Sequence, residues 1–429
     1  MNQIIKVNNF TIIYNFFPKA KTTIVEAYVN NGCIFEDKKN AGISHLLEHI
    51  VCEGWGKCKG PCIDYWKKRG VQTNASTGQT FVNYYMHGLT KYAEEMMDYI
   101  CGISMKPIMT SKRVKKEKVA VKNELFSHLD YPETKMYNAL NKILFKNEGL
   151  QIQDDLQLQL DNLKKFNLNQ LKDWTHRFYQ PGNMIFIVSG NVKKNLVKKV
   201  FINKLRKYKN KSTESHSIDL FQLGNQINFV SDKSAKGTTI HFVFPSPLTQ
   251  KDKEIHFIKL FAKLVNSEIT SILFKTLREK NSLIYTLRFE ENIYGYGSYI
   301  LIKTQCKNTT STKKVIKLTI ETLQNLVNGN LDHEYLNYIK ELYLVEYLSQ
   351  CQNPVRISST IGEQYINQIH NISNAKIFTH KEIAKMIEDI TFDEFIVFIK
   401  KLLIFANMKI VYKGPNKVSN LHSLVQRKM

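Results

Sequence analysis

The stretch FNLNQLKDWTHRFYQPGNMIFIVSG, from Phe166 to Gly190, decides the architecture, because the chain repeats its pattern once. The second copy is ITFDEFIVFIKKLLIFANMKIVYKG, from Ile390 to Gly414. Both ends are displaced by the same 224 residues (390 − 166 and 414 − 190), so the copies align without a gap. A match over a whole helix, turn and strand indicates a duplicated domain.

Each copy begins with the pattern of a helix start. Asn167 is followed by Gln170, and Thr391 by Glu394, which is the spacing of a capping box. An apolar stripe at helical spacing comes next, and then Asn-Met, a β-type run and a glycine. We therefore predict a helix followed by a strand in both halves.

The polar segment RKYKNKSTESHS, Arg206 to Ser217, lies between the copies and is typical of a linker. A chain of 429 residues also exceeds the size at which single cores stop growing, roughly 250 to 300 residues. We expect two domains, 1–210 and 222–429. Strand-like runs and helices occur without strict βαβ alternation, which favours the α+β class: two duplicated domains, each a mostly antiparallel β-sheet with helices packed on one face.

The formal charge of +23 raises the question of a nucleic-acid partner. The lysines are spread over the whole chain and no nucleic-acid module is recognised, so we expect no specific nucleic acid. No secretory signal and no membrane-length apolar run is seen, which predicts a cytoplasmic protein without a membrane partner. Seven scattered cysteines, with Cys58 and Cys62 as the close pair, are interpreted as reduced.

The segment SHLLEHIV, Ser44 to Val51, places ionisable groups on an apolar helical stretch. At 100° per residue, His45 and His49 lie about 40° apart and one turn displaced, with Glu48 on the same side. Two imidazoles so spaced can bind one metal ion if a third ligand arrives from elsewhere. The alternative is a helix with two ordinary histidines.

The next long helical segment, SKRVKKEKVAVKNELFSHL, supplies candidates for that ligand. Glu117 and Glu124 lie two turns apart along its apolar stripe. Burying two carboxylates without a cationic partner would cost several kcal/mol each, and a divalent ion would provide that partner. One glutamate would complete a His, His, Glu set, and the other would hydrogen-bond a ligand histidine. The alternative is that both lie on a solvated face.

Such a set predicts peptide-bond hydrolysis. Zinc lowers the pKa of a bound water to about 7 and polarises a carbonyl. Glu48, beside the ion without binding it, would act as general base and pass the proton to a leaving amine.

The order H-x-x-E-H is the inverted zincin signature. With it, the chain resembles the pitrilysin/insulinase family of zinc metallopeptidases over most of its length, and its short two-domain members in particular, which include the mitochondrial processing peptidase subunits. The resemblance implies one Zn²⁺ per chain on His45, His49 and Glu124, with Glu48 as base and Glu117 beside a ligand histidine. The choice of Glu124 follows from the likeness of AVKNEL to the family's distal glutamate segment.

Two further stretches are similar to the family. TNASTGQTFVNYYM resembles an edge strand that pairs with an extended substrate, which makes Asn74 and Ala75 candidate substrate contacts. LREKNSLIY resembles a segment whose arginine and tyrosine, here Arg278 and Tyr285, hold substrate carbonyls and the oxyanion. CEGWGKCKGP departs from the family pattern and places Cys52 and Trp55 close to the site.

The second half reads HFIKLFAKLV where the first carries its metal motif, so one half alone is expected to be catalytic. In the family the two kinds of half face each other across a closed chamber. This implies a homodimer, or a heterodimer with a related chain, that cleaves short or unfolded peptides. We also expect basic side chains near the chamber wall, favouring acidic or neutral peptides. The alternative function is a catalytically inactive scaffold or chaperone-like subunit.

Overall fold

The computed structural model describes residues 2–58, 61–129, 131, 133–208, 218–249, 254–266, 271–369 and 379–426. The chain forms two compact units that exchange segments. Unit 1 contains residues 1–131, 148–217 and 350–379, and unit 2 contains residues 132–147, 218–349 and 380–429. Residues 209–217, most of the predicted linker, lie outside the described residues.

In the described part of unit 1, six strands form one sheet in the order β1-β2-β6-β3-β5-β4. The strands are β1 (Asn2–Val7), β2 (Phe10–Phe16), β3 (Thr22–Val29), β4 (Gln72–Thr77), β5 (Val82–Leu89) and β6 (Met184–Gly190). The helices are α1 (Ile43–Cys52), α2 (Cys62–Lys67), α3 (Ala93–Met105), α4 (Ser111–Leu129), α6 (Glu148–Ile152), α7 (Leu156–Lys165), α8 (Leu168–Phe178), α9 (Lys194–Leu205) and α14 (Pro354–Ile366). Strand β4 therefore lies at the edge of the sheet.

In the described part of unit 2, five strands form a sheet in the order β7-β11-β8-β10-β9. They are β7 (Gln226–Ser231), β8 (Thr238–Ser246), β9 (Ile284–Tyr294), β10 (Gly297–Cys306) and β11 (Lys409–Gly414). The helices are α5 (Thr134–Leu144), α10 (Ile255–Asn266), α11 (Ile272–Phe274), α12 (Thr309–Val327), α13 (His333–Gln350), α15 (His380–Glu388), α16 (Phe392–Leu402) and α17 (Leu421–Gln426).

The repeated unit seen in the sequence is confirmed. Helix α8 leads into β6 and helix α16 into β11, and both helices begin with a complete capping box. At the first, Asn167 accepts the N–H of Gln170 at 3.1 Å while the Gln170 side chain accepts the N–H of Asn167 at 3.0 Å. Thr391 and Glu394 repeat the arrangement. The reciprocal bonds satisfy N–H groups that a helix start otherwise leaves open.

The α+β class is also confirmed. Each sheet is antiparallel except for one strand pair, β2 with β6 in unit 1 and β7 with β11 in unit 2. The parallel pairs recur at matching places because each is formed by the strand that ends a repeat. Helices pack on the sheets, but in unit 1 they cover both faces rather than the one face that was predicted.

Helix α14 covers that second face. Ile13, Tyr28 and Ile187 point away from the main core of unit 1 and pack with Ile357 and Ile361 of α14. Gly362 permits the close approach, because a Cβ atom there would lie 2.3 Å from the Tyr28 ring. The buried carboxylate of Glu26 accepts a hydrogen bond from the Ser358 hydroxyl, and burial raises the pKa of Glu26 to about 7.

The exchange runs in both directions. Helix α5, from the first half of the sequence, belongs to unit 2 and packs against β7 and β11. Helix α14 begins 220 residues after α5 (354 − 134), close to the repeat distance. The compact units therefore differ from the predicted continuous domains 1–210 and 222–429, since each contains a helix of the other half.

One expectation about the cysteines is wrong. Cys58 and Cys62, interpreted as reduced, form a disulfide that links the loop after α1 to the first residue of α2. The short spacing places their Cα atoms 5.3 Å apart, within the usual range for such a bond. Among the described helices, none combines the length and the apolar character needed to cross a bilayer.

Candidate metal centre

Helix α1 presents the motif residues on one side because its apolar residues occupy the other. Leu46, Leu47 and Ile50 are fully buried in the core of unit 1. The helix start is fixed by Glu36, whose carboxylate accepts the N–H groups of Gly42 at 2.8 Å and Ser44 at 3.0 Å. These two hydrogen bonds satisfy N–H groups at the start of the helix, directly before His45.

Helix α4 brings the two glutamates to the same place, but in different surroundings. Glu117 lies on the buried stripe and is 6% exposed. The Glu124 side chain is 44% exposed and opens toward a cleft. The expectation that both lie along the buried stripe therefore holds for Glu117 and is wrong for Glu124, which is the carboxylate that can be reached from solvent.

The structure brings His45, His49 and Glu124 together as a possible metal-binding group. Nε2 of His45 lies 3.6 Å from one carboxylate oxygen of Glu124, and Nε2 of His49 lies 3.5 Å from the other. Tetrahedral zinc with bonds of roughly 2.0 to 2.2 Å separates its ligand atoms by about 3.4 Å. These donor types and spacings fit zinc.

Two more glutamates flank the group. An oxygen of Glu117 lies 3.6 Å from Nδ1 of His49, the ring nitrogen opposite the one that faces Glu124. Glu48 is 8% exposed, and its Oε2 accepts a hydrogen bond from the Thr77 hydroxyl at 2.7 Å. Glu48 therefore stands beside the group without belonging to the cluster of possible ligand atoms.

The protonation equilibria reflect these contacts. Burial alone would lower the pKa of His49, but contact with Glu117 and the charges of Glu48 and Glu124 outweigh it and raise that pKa. Contact with His49 lowers the pKa of Glu117, and contact with His45 lowers the pKa of Glu124. The carboxylates are thus ionised, and in the metal-free chain His49 is held toward its cationic form.

The group lies in a cleft of about 830 Å³ within unit 1. Its lining carboxyl groups are Glu36, Glu48, Glu53, Glu117, Glu124 and Asp154, and its lining lysine is Lys116. Burial raises the pKa of Glu36. If Glu36 is left out, five carboxylates against one lysine and a divalent ion still leave two negative charges. The described cleft is acidic, so the expected basic wall is not found here.

The predicted substrate contacts Asn74 and Ala75 lie in edge strand β4 and line the cleft. Exposure alternates along the strand, so Asn74 faces outward, whereas Ala75 and Thr77 face the half-buried side. The edge-strand prediction is confirmed by the sheet order. Contact of these residues with a substrate stays a prediction.

The segment that departs from the family pattern, residues 52–61, has one of its two noted residues in the cleft and the other in the core. Cys52 lines the cleft. Trp55 instead packs in a ring cluster, stacked on Trp66 with centroids 5.6 Å apart and edge-on to Tyr99 at 5.3 Å. Trp55 thus supports the end of α1 from the core side.

Arg278 and Tyr285 lie together in unit 2. The Arg278 Nη1 donates to the backbone carbonyl of Tyr285 at 3.0 Å, and its guanidinium lies 5.0 Å from the Tyr285 ring centre. The Tyr285 side chain is exposed, with 75% of the residue's surface open. The phenol is therefore available to bind a ligand.

Sequence reasoning missed Thr77 and Glu36. Thr77 is 29 residues from Glu48, and no local pattern joins them. For Glu36 a signal existed, since an acidic residue lies shortly before helix α1. Its carboxylate accepts the N–H groups of Gly42 and Ser44, however, and this spacing differs from that of a capping box. Both contacts depend on tertiary packing.

Comparison with known proteins places this geometry in context. Residues 11–153 match the family described as insulinase (peptidase family M16). Residues 165–343 match the family described as peptidase M16 inactive domain. The first match contains the metal motif and the second does not; the second begins at residue 165, inside the first half of the chain.

Relatives carry corresponding names. An uncharacterized zinc protease of Rickettsia felis is 21% identical over 95% of this chain and 96% of its own length. The uncharacterized zinc protease YmxG of Bacillus subtilis is 25% identical, but the match covers 45% of this chain and 47% of that protein. The mitochondrial-processing peptidase subunit beta of Saccharomyces cerevisiae is 23% identical over 43% of this chain and 40% of its own length.

Solved structures share the fold. A protease from Helicobacter pylori superposes with a TM-score of 0.84 at 15% identity, covering 97% of this chain and all of that one. A peptidase M16 inactive domain from Pseudomonas fluorescens gives 0.82 at 14% identity, covering 97% of this chain and 99% of that one. At such identities the likeness concerns the fold.

Proposed function

This chain belongs to the insulinase family, peptidase family M16, also called the pitrilysin family, and on that premise we propose that it is a zinc-dependent metalloendopeptidase. The observation that carries the proposal is the convergence of His45, His49 and Glu124 with Glu48 directly beside them. The substrates we propose are short or unfolded peptides taken into a closed chamber, as in the family.

We assign the metal to His45, His49 and Glu124, one Zn²⁺ per chain. When bound, zinc would polarise the scissile carbonyl and acidify the attacking water. Glu117 would keep His49 oriented through Nδ1, leaving Nε2 directed at the ion. The distances of 3.5 and 3.6 Å from the histidine nitrogens to Glu124 support this assignment.

Glu48 would act as general base and then as general acid. Its Oε2 is held by Thr77, which leaves Oε1 to accept a proton from the attacking water. The same carboxyl group can then donate the proton to the amine that leaves. Low exposure of Glu48 keeps bulk water from competing for this proton.

We propose substrate-binding roles for the remaining predicted residues. Asn74 and Ala75 would contact a peptide that lies along the open edge of β4. Arg278 and Tyr285 carry donors suited to substrate carbonyls and to a developing oxyanion. We propose that a second subunit supplies this pair, in a homodimer or a heterodimer with a related chain.

The alternative is a scaffold subunit without activity. It is favoured by relatives such as the cytochrome b-c1 complex subunit 1 of Caenorhabditis elegans, which is 22% identical over 40% of this chain and 36% of its own length. The four side chains required for hydrolysis are nonetheless present together here. We therefore place the peptidase first.

The test compares the purified chain with Glu48→Gln. Zinc would be measured by elemental analysis, and cleavage by mass spectrometry on a mixed peptide pool with and without a chelator. We expect about one zinc per chain in both proteins and a loss of at least 100-fold in cleavage rate in the variant, since general base catalysis contributes about that much. Zinc-loaded wild type that cleaves no peptide would support the scaffold instead.

A further inference from the structure

We propose that Thr77 is the positioning residue for the general base, and that through it the edge strand β4 controls where Glu48 points. The inference rests on the proposed peptidase function. Its starting point is the 2.7 Å hydrogen bond from the Thr77 hydroxyl to Oε2 of Glu48. Among the described residues, this is the only side-chain hydrogen bond that Glu48 makes.

Glu48 needs such a tether because its side chain has three rotatable bonds and lines the cleft. A general base must lie within hydrogen-bond reach of the proton that it takes. A hydroxyl that donates to Oε2 restricts the rotation of the carboxylate and leaves Oε1 as the reactive atom. Thr77 is not one of the candidate metal ligands, and its hydroxyl binds the base, so it can act on the base without removing a metal ligand.

The location of Thr77 adds a second consequence. It is the last residue of β4, paired with Val82 of β5, and among the described strands none pairs with the other edge of β4. The same short strand thus presents backbone groups to the outside and the Thr77 hydroxyl to the base. A peptide that pairs with this edge would restrict the motion of β4. Through its hydrogen bond, Thr77 would in turn restrict the motion of the Glu48 carboxylate.

The test uses three variants of the zinc-loaded chain. Thr77→Val keeps the side-chain shape but removes the hydroxyl, and Thr77→Ser keeps a hydroxyl. Thr360→Val makes the same exchange at an exposed position of α14, outside the cleft lining. We expect Thr77→Val to lower kcat about tenfold, a part of the 10²–10⁴ that acid–base catalysis supplies. KM should stay within about twofold, Thr77→Ser should retain most activity, and Thr360→Val should match wild type. Equal kcat in Thr77→Val and wild type, or equal losses in the valine and serine variants, would overturn the proposal.

A readout independent of activity is a double-mutant cycle on thermal unfolding. Thr77→Val, Glu48→Ala and the double variant would be compared in the metal-free chain. Coupled residues give non-additive shifts in Tm, whereas additive shifts would mean that the two side chains do not interact. If wild type binds zinc but hydrolyses nothing, the peptidase proposal fails while this cycle still reports on the contact.

Peptide length tests the link to the strand. Strands usually need at least three residues, so peptides shorter than about four residues cannot pair along β4. We expect the kcat loss in Thr77→Val to be several-fold larger for peptides of about ten residues than for these short ones. An equal loss for both lengths would show that β4 plays no part in positioning the base.

Discussion

Glu117 is the residue on which we expect the orientation of the His49 ring to depend. It is buried, contacts Nδ1 of His49 at 3.6 Å, and pairs with Lys116 at 3.3 Å. Removing an outer partner of a ligand histidine usually costs 10–100-fold in metal affinity. We expect Glu117→Gln to weaken zinc binding by about that factor, measured by competition with a chromogenic chelator.

A matched control for this change is Glu94→Gln, an exposed glutamate in the first turn of α3. It should leave zinc affinity unaltered, because it alters the overall charge equally but lies outside the cleft lining. Equal affinities for Glu117→Gln and wild type would mean that His49 is oriented without Glu117.

The charged residues at the metal centre predict that stability depends on pH in opposite ways with and without metal. In the metal-free chain the pKa of His49 is raised above 6.5, so its contribution to stability is full below 6.5 and is lost as pH rises through the raised value. The pKa values of Glu117 and Glu124 are lowered below 4.5, so their contribution is lost as pH falls below that range. Zinc requires a neutral imidazole and binds better as pH rises.

We therefore expect the difference in Tm between the zinc-loaded and chelator-treated protein to widen from pH 6 to pH 8. Thermal unfolding followed by circular dichroism would measure it. A difference that narrows over this range would contradict the assigned pairing of His49. Glu117→Gln should flatten the pH dependence of the metal-free chain, because it removes the main contact that raises the pKa of His49.

At the level of helices and strands, the acidic cleft predicts substrate preference. Its carboxylates outnumber its lysine even with a divalent ion present, although the whole chain carries +23. We expect peptides with lysine beside the cleaved bond to have a kcat/KM several-fold above that of glutamate-containing counterparts. The preference should shrink in high salt, because salt screens charges beyond about 10 Å at 0.1 M. Equal rates for both peptides at low salt would refute it.

That preference could not be predicted from composition. Net charge sums all side chains, whereas the cleft gathers its carboxylates from separate elements, among them α1, α4 and the segment at Asp154. The H-x-x-E-H spacing was informative because the helix period alone places His45 and His49 together. The contact of Thr77 with Glu48 needed strand β4 to lie against α1, which no sequence period reports.

For the molecule as a whole, the repeat predicted the duplication but not the exchange of helices. Capping boxes and apolar stripes are local, so α8, β6, α16 and β11 could be read from the sequence. The destinations of α5 and α14 depend on which sheet face lies open after each half has folded. An amphipathic helix reveals that it will be buried but not against which partner.

The exchange predicts a sensitive site far from the cleft. Gly362→Ala would place a methyl group 2.3 Å from the Tyr28 ring, where α14 meets β3. We expect a loss of about 1–3 kcal/mol in the free energy of unfolding, typical of overpacking, measured by urea denaturation. Thr360→Ala, exposed on the same helix, should cost less than about 0.5 kcal/mol. Similar values for both would mean that α14 does not pack tightly on the sheet.

Helix α14 also sets the time at which the second face of the first sheet can be covered during synthesis. Strand β6 closes that sheet at Gly190, but α14 ends at Ile366, so 176 further residues (366 − 190) must leave the ribosome first. At roughly 5–20 residues per second, the wait is on the order of 10 to 30 s. During this time the nascent chain exposes a hydrophobic sheet face formed by Ile13, Tyr28, Ile185 and Ile187. Until α14 covers it, we expect this face to be prone to association with neighbouring chains on a polysome.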